Sequence, residues 1–333
     1  MENSNIHLVK AAFHTQFKTA MENCGVSPDY YFNKVNLPTE VNDPESLLPV
    51  KPLYHLVNIV AIDENIPDFG SRVAQLTPWH RVLSLGPLIQ ASADLSHLLE
   101  KFCEIASSQS SSVLFTLVDE GSYFSFCYTN ALFYKGDIQM ELYRITSMIQ
   151  LVQLAAGMQW RPQTVRLEMP KMEIAYACPL LTESKIKFSQ PDSAIFIPPE
   201  LLQLTVHMDI PLSLKAGKNI QADLYINFDD AIDQIIKTYS ITKNTSIEEI
   251  AGVADTSVRT LQRRLKDKGL KFNDLLNRAK FIYAKQKLQD TQMPIKEISA
   301  SLGYSDPSHF SRAFQRWSGF SPTKFRKGLT KIS

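Results

Sequence analysis

The chain has 333 residues, 44% of them apolar, which suggests two domains with enough apolar content for each to bury a core. No apolar run approaches the ~18 residues that a membrane-crossing helix needs, so no membrane partner is expected. The net charge of +1 hides a division: residues 1–228 carry 16 Lys+Arg against 23 Asp+Glu, and residues 229–333 carry 19 against 11.

An acidic front joined to a basic back predicts that only the C-terminal part meets a polyanion. The four cysteines (Cys24, Cys103, Cys127, Cys178) are scattered without ligand-like spacing, so no metal, cofactor or disulfide framework is expected. The first residues, Met1-Glu2-Asn3-Ser4-Asn5, lack the basic-then-apolar pattern of a secretory leader. Reduced thiols and a cytoplasmic location are the expectation.

In chain order, residues 6–23 place Leu8, Val9, Ala12, Phe13, Phe17, Ala20 and Met21 at helical spacing, with Gly25 as a stop. Pro28 to Val35 predicts a short helix, and Asn36 to Pro49 a loop. A further helix opens at Pro52 and runs through Val60, and another spans roughly Asp68 to Leu76. Leu85-Gly86-Pro87 breaks the pattern, and Asp94 caps a helix carrying Leu95, Leu98, Leu99, Phe102 and Ile105.

After the serine run Ser107–Ser112 the character changes. The stretches Val113–Val118 and Tyr123–Tyr128, separated by a turn at Asp119-Glu120-Gly121-Ser122, read as a β-hairpin. A long apolar helix from about Asp137 to Met158 follows, and Thr164–Glu168, Ile186–Phe188 and Ala194–Ile197 are strand candidates. The fold expected for residues 1–210 is therefore an α+β domain. Aromatic residues of the hairpin (Phe115, Tyr123, Phe124, Phe126, Tyr128) and the nearby Trp79-His80-Arg81 are candidate pocket residues, although most such rings simply fill a core. No ligand residue is singled out.

Residues 211–228 are expected to be a linker, and an all-α domain to occupy 229–333. There, one pattern occurs twice. The first copy is Ile247-Glu248-Glu249-Ile250-Ala251 … Ser257-Val258-Arg259-Thr260-Leu261-Gln262-Arg263-Arg264-Leu265; the second is Ile295-Lys296-Glu297-Ile298-Ser299 … Ser308-His309-Phe310-Ser311-Arg312-Ala313-Phe314. Each is a short amphipathic helix, a polar turn and a second helix with Arg on its exposed side, which is the sequence form of a helix-turn-helix. Ser246 with Glu249 has capping-box spacing, and Asp306-Pro307 is suited to open the last recognition helix.

Val258, Leu261 and Leu265 share the inner face of the first recognition helix, leaving Arg259, Thr260, Gln262, Arg263 and Lys266 for DNA. In the second, Phe310, Phe314 and Trp317 face inward, leaving Ser308, His309, Ser311, Arg312 and Arg316. Arg pairs bidentately with guanine and Gln with adenine in a major groove wide enough for one helix. Between the copies, Phe272–Leu288 predicts one helix with Leu275, Leu276, Ala279, Tyr283 and Leu288 inward, holding the two reading heads about one DNA turn, ~10 bp, apart.

These two units, closed by Gly319-Phe320-Ser321-Pro322-Thr323, resemble the AraC/XylS family of bacterial transcription regulators over roughly a hundred C-terminal residues. The N-terminal half resembles the arabinose-binding-like sensor of the subgroup typified by the ornithine-utilisation regulator. One departure is Ala254-Asp255-Thr256, where the family usually has Leu-Gly-Leu; Asp tolerates left-handed backbone better than most residues. The resemblance implies promoter DNA and RNA polymerase as partners, an unknown small-molecule effector, a homodimer through the N-terminal domain, and activation as the usual outcome.

Two other readings stand beside this one. The first is an architectural DNA binder without signal input. The second is an enzyme, including the DNA-repair type that couples a zinc-cysteine site to this kind of DNA-binding domain. No phosphate loop, dinucleotide fingerprint or nucleophile elbow is present in the sequence, so no catalytic residue is expected. His97 with Glu100, and His7 with His14, have ligand-like spacing, and polar helix edges explain both.

Overall fold

The computed structural model describes residues 6–41, 43–79, 86–130, 137–206, 227–240, 245–290 and 292–329. His80, Arg81 and nearly all of the expected 211–228 linker lie outside them.

The chain opens with a short strand, β1 (Leu8–Lys10), paired antiparallel with β2 (Leu47–Pro49). The helix expected over 6–23 therefore starts later, as α1 (Ala12–Asn23), and the expected loop ends in a strand. The reason is local. Leu8 N–H donates to Ser111 Oγ at 2.9 Å and Lys10 N–H to the Gln109 carbonyl at 2.9 Å, so the serine run claims the backbone that a helix would have used. α2 (Pro28–Lys34), α3 (Val50–Asp63) and α4 (Phe69–Leu76) follow as expected, with Pro52 in the first turn of α3. Where a break was expected near Pro87 there is a short helix, α5 (Gly86–Ala91), because proline is tolerated in a first turn. α6 (Leu95–Ala106) is capped by Asp94, which accepts from the His97 N–H at 2.9 Å.

The hairpin is present as β3 (Val113–Asp119) and β4 (Phe124–Asn130), with Val113 opposite Asn130. The long helix α7 (Ile138–Ala156) leads to β5 (Thr164–Arg166), β6 (Lys185–Lys187), β7 (Ser193–Ile197) and a single turn, α8 (Pro199–Leu202). The five strands form one sheet in the order β3-β4-β7-β5-β6, antiparallel except for the β5–β6 pair. Phe115, Phe126 and Tyr128 of the hairpin are buried, with Phe115 edge-on to Trp79 at 5.5 Å. Tyr123 packs elsewhere, edge-on to Phe196 at 4.7 Å.

α7 is buried on nearly every side, as a helix in the middle of a core must be. Its polar residues are accordingly satisfied. Tyr143 Oη donates to Gln16 Oε1 at 2.7 Å and accepts from Trp79 Nε1 at 2.7 Å. Glu141 accepts from the backbone N–H groups of Glu168 (2.7 Å) and Met169 (3.0 Å) and from Ser193, and burial raises its pKa. α4 lies hard against α7: a Cβ built on Gly70 would stand 1.8 Å from the Gln139 carbonyl oxygen.

The C-terminal part comprises α9 (Phe228–Tyr239), α10 (Ile247–Val253), α11 (Val258–Asp267), α12 (Phe272–Asp290), α13 (Ile295–Ser301), α14 (Pro307–Ser318) and α15 (Pro322–Leu329). Among the described residues its apolar side chains fall into two clusters. Ile232, Ile235, Ile236, Leu261, Leu265, Leu275 and Ala279 are continuous with the N-terminal core, where α9 packs on β2 and Thr238 Oγ1 donates to the Leu47 carbonyl at 3.0 Å. Ala284, Leu288, Ile298, Leu302, Phe310 and Phe314 form a second, separate core. At 3.6 residues per turn, the pair Leu275/Ala279 lies roughly half a turn around α12 from the pair Ala284/Leu288. The helix thus gives opposite faces to the two cores, which is why it has no single apolar stripe.

The close approach at Gly70 makes a direct prediction. Gly70→Ala must push α4 off α7 and should cost about 1–3 kcal/mol or more, read as a fall in Tm of roughly 2–4 °C per kcal/mol. An unchanged Tm would show that the two helices separate freely.

Candidate nucleic-acid interface

The two helix-turn-helix units are built alike to the level of individual hydrogen bonds. In the first turn, Asp255 N–H donates to the Gly252 carbonyl (3.2 Å) and Thr256 N–H to the Ala251 carbonyl (2.9 Å). In the second, Gly303 N–H donates to the Ala300 carbonyl (3.0 Å) and Tyr304 N–H to the Ser299 carbonyl (3.1 Å). Asp255 (φ 52°) and Gly303 (φ 77°) hold the same left-handed position. The residue that departs from the family pattern thus adopts the backbone its short polar side chain tolerates.

Ser246 caps α10 in a full capping box with Glu249. Ser257 caps α11 by accepting from the Thr260 N–H at 3.1 Å, and Asp306 caps α14 by accepting from the Ser308 N–H at 2.7 Å. That bond holds the exposed Asp306 carboxyl below the usual carboxylate range. Gly319 ends α14 at φ 79°.

Counting from the two caps superimposes the recognition helices. Arg259 corresponds to Ser308, Thr260 to His309, Gln262 to Ser311, and Arg263 to Arg312, each Arg six residues after its cap. The inner residues correspond too: Leu261 and Leu265 match Phe310 and Phe314, all buried. Arg259, Gln262, Arg263, Lys266, Ser308, His309, Arg312 and Arg316 are exposed, and Thr260 and Ser311 are half-buried. Thr260 Oγ1 is engaged by the Ser257 hydroxyl at 2.9 Å, which ties it to the cap. Trp317, expected to face inward, is half-buried beside Phe281, with ring centroids 6.0 Å apart. Further exposed cations, Arg278 and Lys285 on α12 and Lys324 and Lys327 on α15, were not singled out from the sequence, because a lone cation on a helix carries no signal of its own.

Three contacts that sequence reasoning did not find fix the first unit in place. The Arg264 guanidinium sits 4.0 Å from the Phe228 ring centroid, stacking α11 on α9. Lys268 pairs with Asp229 at 3.4 Å. Lys51, in the first turn of α3, forms an ion pair with Asp255 in the helix-turn-helix turn itself, joining residues 204 positions apart. In the second unit, Lys280 Nζ of α12 donates to the Leu302 carbonyl at 2.9 Å and lies 5.2 Å from the Tyr304 ring centroid.

Of the pairs with ligand-like spacing, His97 gives its backbone N–H to the Asp94 cap, and Glu100 accepts from Ser96 at 3.1 Å. His7 meets the Ser111 carbonyl at 3.0 Å. His14 meets the Pro38 carbonyl and stacks on Phe32 at 4.3 Å, and burial pushes its pKa down to about 4. Burial likewise pushes the Cys103 thiol up to about 12, away from a reactive thiolate. No helix among the described residues is long and apolar enough to cross a membrane.

Comparison with known proteins supports the same reading. A model for a helix-turn-helix domain matches residues 250–328. A model for the N-terminal arabinose-binding domain of AraC transcription regulators matches residues 25–206, more than half of the chain. The chain belongs to the AraC family of transcription regulators. This AraC-family chain is 37% identical over 81 residues to the ornithine utilization regulator of Pseudomonas aeruginosa, a stretch covering 24% of each chain. It is 37% identical over 87 residues to the HTH-type transcriptional activator RhaS of an Enterobacter species, covering 26% of this chain and 31% of that one. Each of these stretches spans less than a third of the relative's length. Among solved structures, the transcriptional regulator CdpR of Pseudomonas aeruginosa aligns over 95% of this chain and 98% of its own, at 16% identity and a TM-score of 0.41.

The left-handed Asp255 allows a test of what shapes the first turn. Asp255→Val should lower stability by about 1–2 kcal/mol, because a β-branched residue resists this backbone, while Asp255→Gly should be near neutral. Equal losses of Tm in both variants would mean that the ion pair to Lys51 matters more than the backbone.

Proposed function

We propose that this protein is a sequence-specific DNA-binding transcription regulator of the cytoplasm, acting as an activator. In this reading α11 and α14 enter two adjacent major-groove segments. Arg259, Gln262, Arg263 and Lys266 serve the first segment, with Thr260 at its edge. Ser308, His309, Ser311, Arg312 and Arg316 serve the second. The observation that carries the reading is the equivalence of Arg263 and Arg312, six residues after their caps on helices whose inner faces also correspond. A basic helix without a recognition role has no reason to repeat its exposed Arg at the same place relative to cap and core.

The N-terminal α+β domain is proposed to receive a small-molecule signal and to form a homodimer. Contact with RNA polymerase and activation of transcription follow from the family resemblance and from the activator RhaS among its relatives. The docking of the first unit on α3 supports signal modulation, since the Lys51–Asp255 pair joins the sensor to the turn that sets the angle of α11. An exposed pair of this kind contributes only ~0–1 kcal/mol, small enough for a bound ligand to outweigh it.

The experiment begins with selection of an operator from random DNA by the full-length protein. Arg263→Ala and Arg312→Ala should each weaken that operator by ~1–3 kcal/mol while largely sparing random DNA. Equal losses on both DNAs would move these side chains from bases to phosphates. Affinity should also fall by about 0.9 log unit per phosphate contact for each tenfold rise in salt; a flat dependence contradicts DNA binding of this kind.

A further inference from the structure

α12 carries one side chain that its place in the fold does not explain. Spaced four residues apart, Lys280, Ala284 and Leu288 share one face of the helix. Ala284 and Leu288 on that face are buried in the second core, so packing asks for an apolar residue at position 280. A lysine stands there instead. It is half-buried, burial pulls its pKa down, and among the described residues no carboxylate lies within ion-pair distance of it. An apolar side chain of similar length would fill that place without the desolvation cost.

What Lys280 meets is the turn of the second unit. Its Nζ donates to the Leu302 carbonyl at 2.9 Å, and the ammonium lies 5.2 Å from the Tyr304 ring centroid. Leu302 closes α13 and is followed by the left-handed Gly303, so the bond falls at a helix end, where carbonyls lack an intrahelical partner. Tyr304 in turn packs on Phe310, with ring centroids 5.7 Å apart, and Phe310 is the buried residue of α14 between His309 and Ser311. A continuous path therefore runs from α12 through the turn to the recognition helix. The first unit is built otherwise. There α9 fills the core with Ile232, Ile235 and Ile236, and the cation at the turn comes from Lys51 of α3. A lysine on the core face is no requirement of a helix-turn-helix.

We propose that Lys280 is a positioning residue of the second reading head, fixing the angle at which α14 presents Arg312 and its neighbours to their groove segment. Lys280 serves the DNA-reading function proposed above, on which this role rests, without touching a base. The choice of side chain follows from its reach: an ammonium on a long apolar stem packs along the core and still places a donor on the turn. A tilt of the recognition helix carries its Arg away from the base edges. Base contacts in the second segment are then lost while phosphate contacts largely persist. The first head, packed on Leu275 and Ala279 at the other end of α12, keeps its own geometry.

The test uses the full-length protein and the operator it selects from random DNA, followed by titration and hydroxyl-radical footprinting. Lys280→Met keeps an apolar stem and removes the donor. It should retain or raise Tm, weaken the operator about ten-fold or more, change random-DNA affinity by less than about two-fold, and lose protection of the second segment alone. Base changes in the second segment should cost Lys280→Met less than they cost the wild type, whereas base changes in the first should cost both alike. Lys280→Arg, which can serve the same carbonyl and ring, should bring operator affinity to within about three-fold of wild type. Should Lys280→Met lower Tm, Tyr304→Leu decides: it leaves Lys280 in place, removes the ring between the ammonium and Phe310, and should give the same selective loss in the second segment. Operator affinity within about two-fold of wild type in Lys280→Met, equal loss of both segments, a loss that Lys280→Arg does not repair, or an unselective effect of Tyr304→Leu would each overturn the proposal. A wild-type protein that selects no operator removes the DNA-reading function instead, so the two fail separately.

Discussion

The rest of the structure depends on α12 being shared by two cores. Leu275 and Ala279 are buried with α9 and α11, and Ala284 and Leu288 are buried with α13 and α14. The midpoints of those pairs are nine residues apart, or ~14 Å along the helix axis. A helix anchored on opposite sides at both ends cannot rotate at one end without unpacking the other. The separation and relative angle of the two units are therefore held by buried apolar contact, which salt does not screen and which a flexible linker would not provide. The positions of Arg263 and Arg312 relative to each other follow from that single rod.

The two units differ in what lies behind them. The first continues the N-terminal core through α9, β2 and the stacked Arg264–Phe228 pair. The second rests on its own aromatic cluster of Phe281, Phe310, Phe314 and Phe325. Under the proposed function, a signal in the N-terminal domain meets the first unit through these contacts, and α12 connects that unit to the second. The polar groups on α7 serve the same economy of space. Glu141 and Tyr143 are engaged in fixing the helix, and Arg144, on the same turns, donates to Tyr54 Oη and feels the charge of Asp137.

Much of this was legible in the sequence wherever one helix face is apolar and the other polar. The recognition helices, the Asp306 cap and the inner residues Leu261, Leu265, Phe310 and Phe314 follow from spacing alone. Short strands were not legible. Leu8–Lys10 has too few residues to show a period of two, and its apolar pair fits the helical spacing of the residues after it. The shared role of α12 was partly visible, since Leu275, Ala279 and Leu288 were expected inward. Ala284 was missed because it lies on the far face from Leu275, where a single-stripe reading places solvent. Contacts across the chain were invisible for a different reason. Nothing near Lys51 announces Asp255, and an Arg in a long helix reads as exposed, so neither the interdomain pair nor the buried Arg144 has a local signature. Trp79 and Phe115 were named as pocket candidates and pack edge-on in the core, whereas Tyr123 packs against Phe196 instead.

If α12 holds the two units as one rigid reader, the DNA must show it. Hydroxyl-radical footprinting of the full-length protein on its selected operator measures this directly. Two protected segments on one face of the duplex, centred about one helical turn, ~10 bp, apart, are expected. Inserting half a turn of DNA between them should abolish one of the two footprints. A single protected segment, or two footprints that persist unchanged across the insertion, would contradict the account.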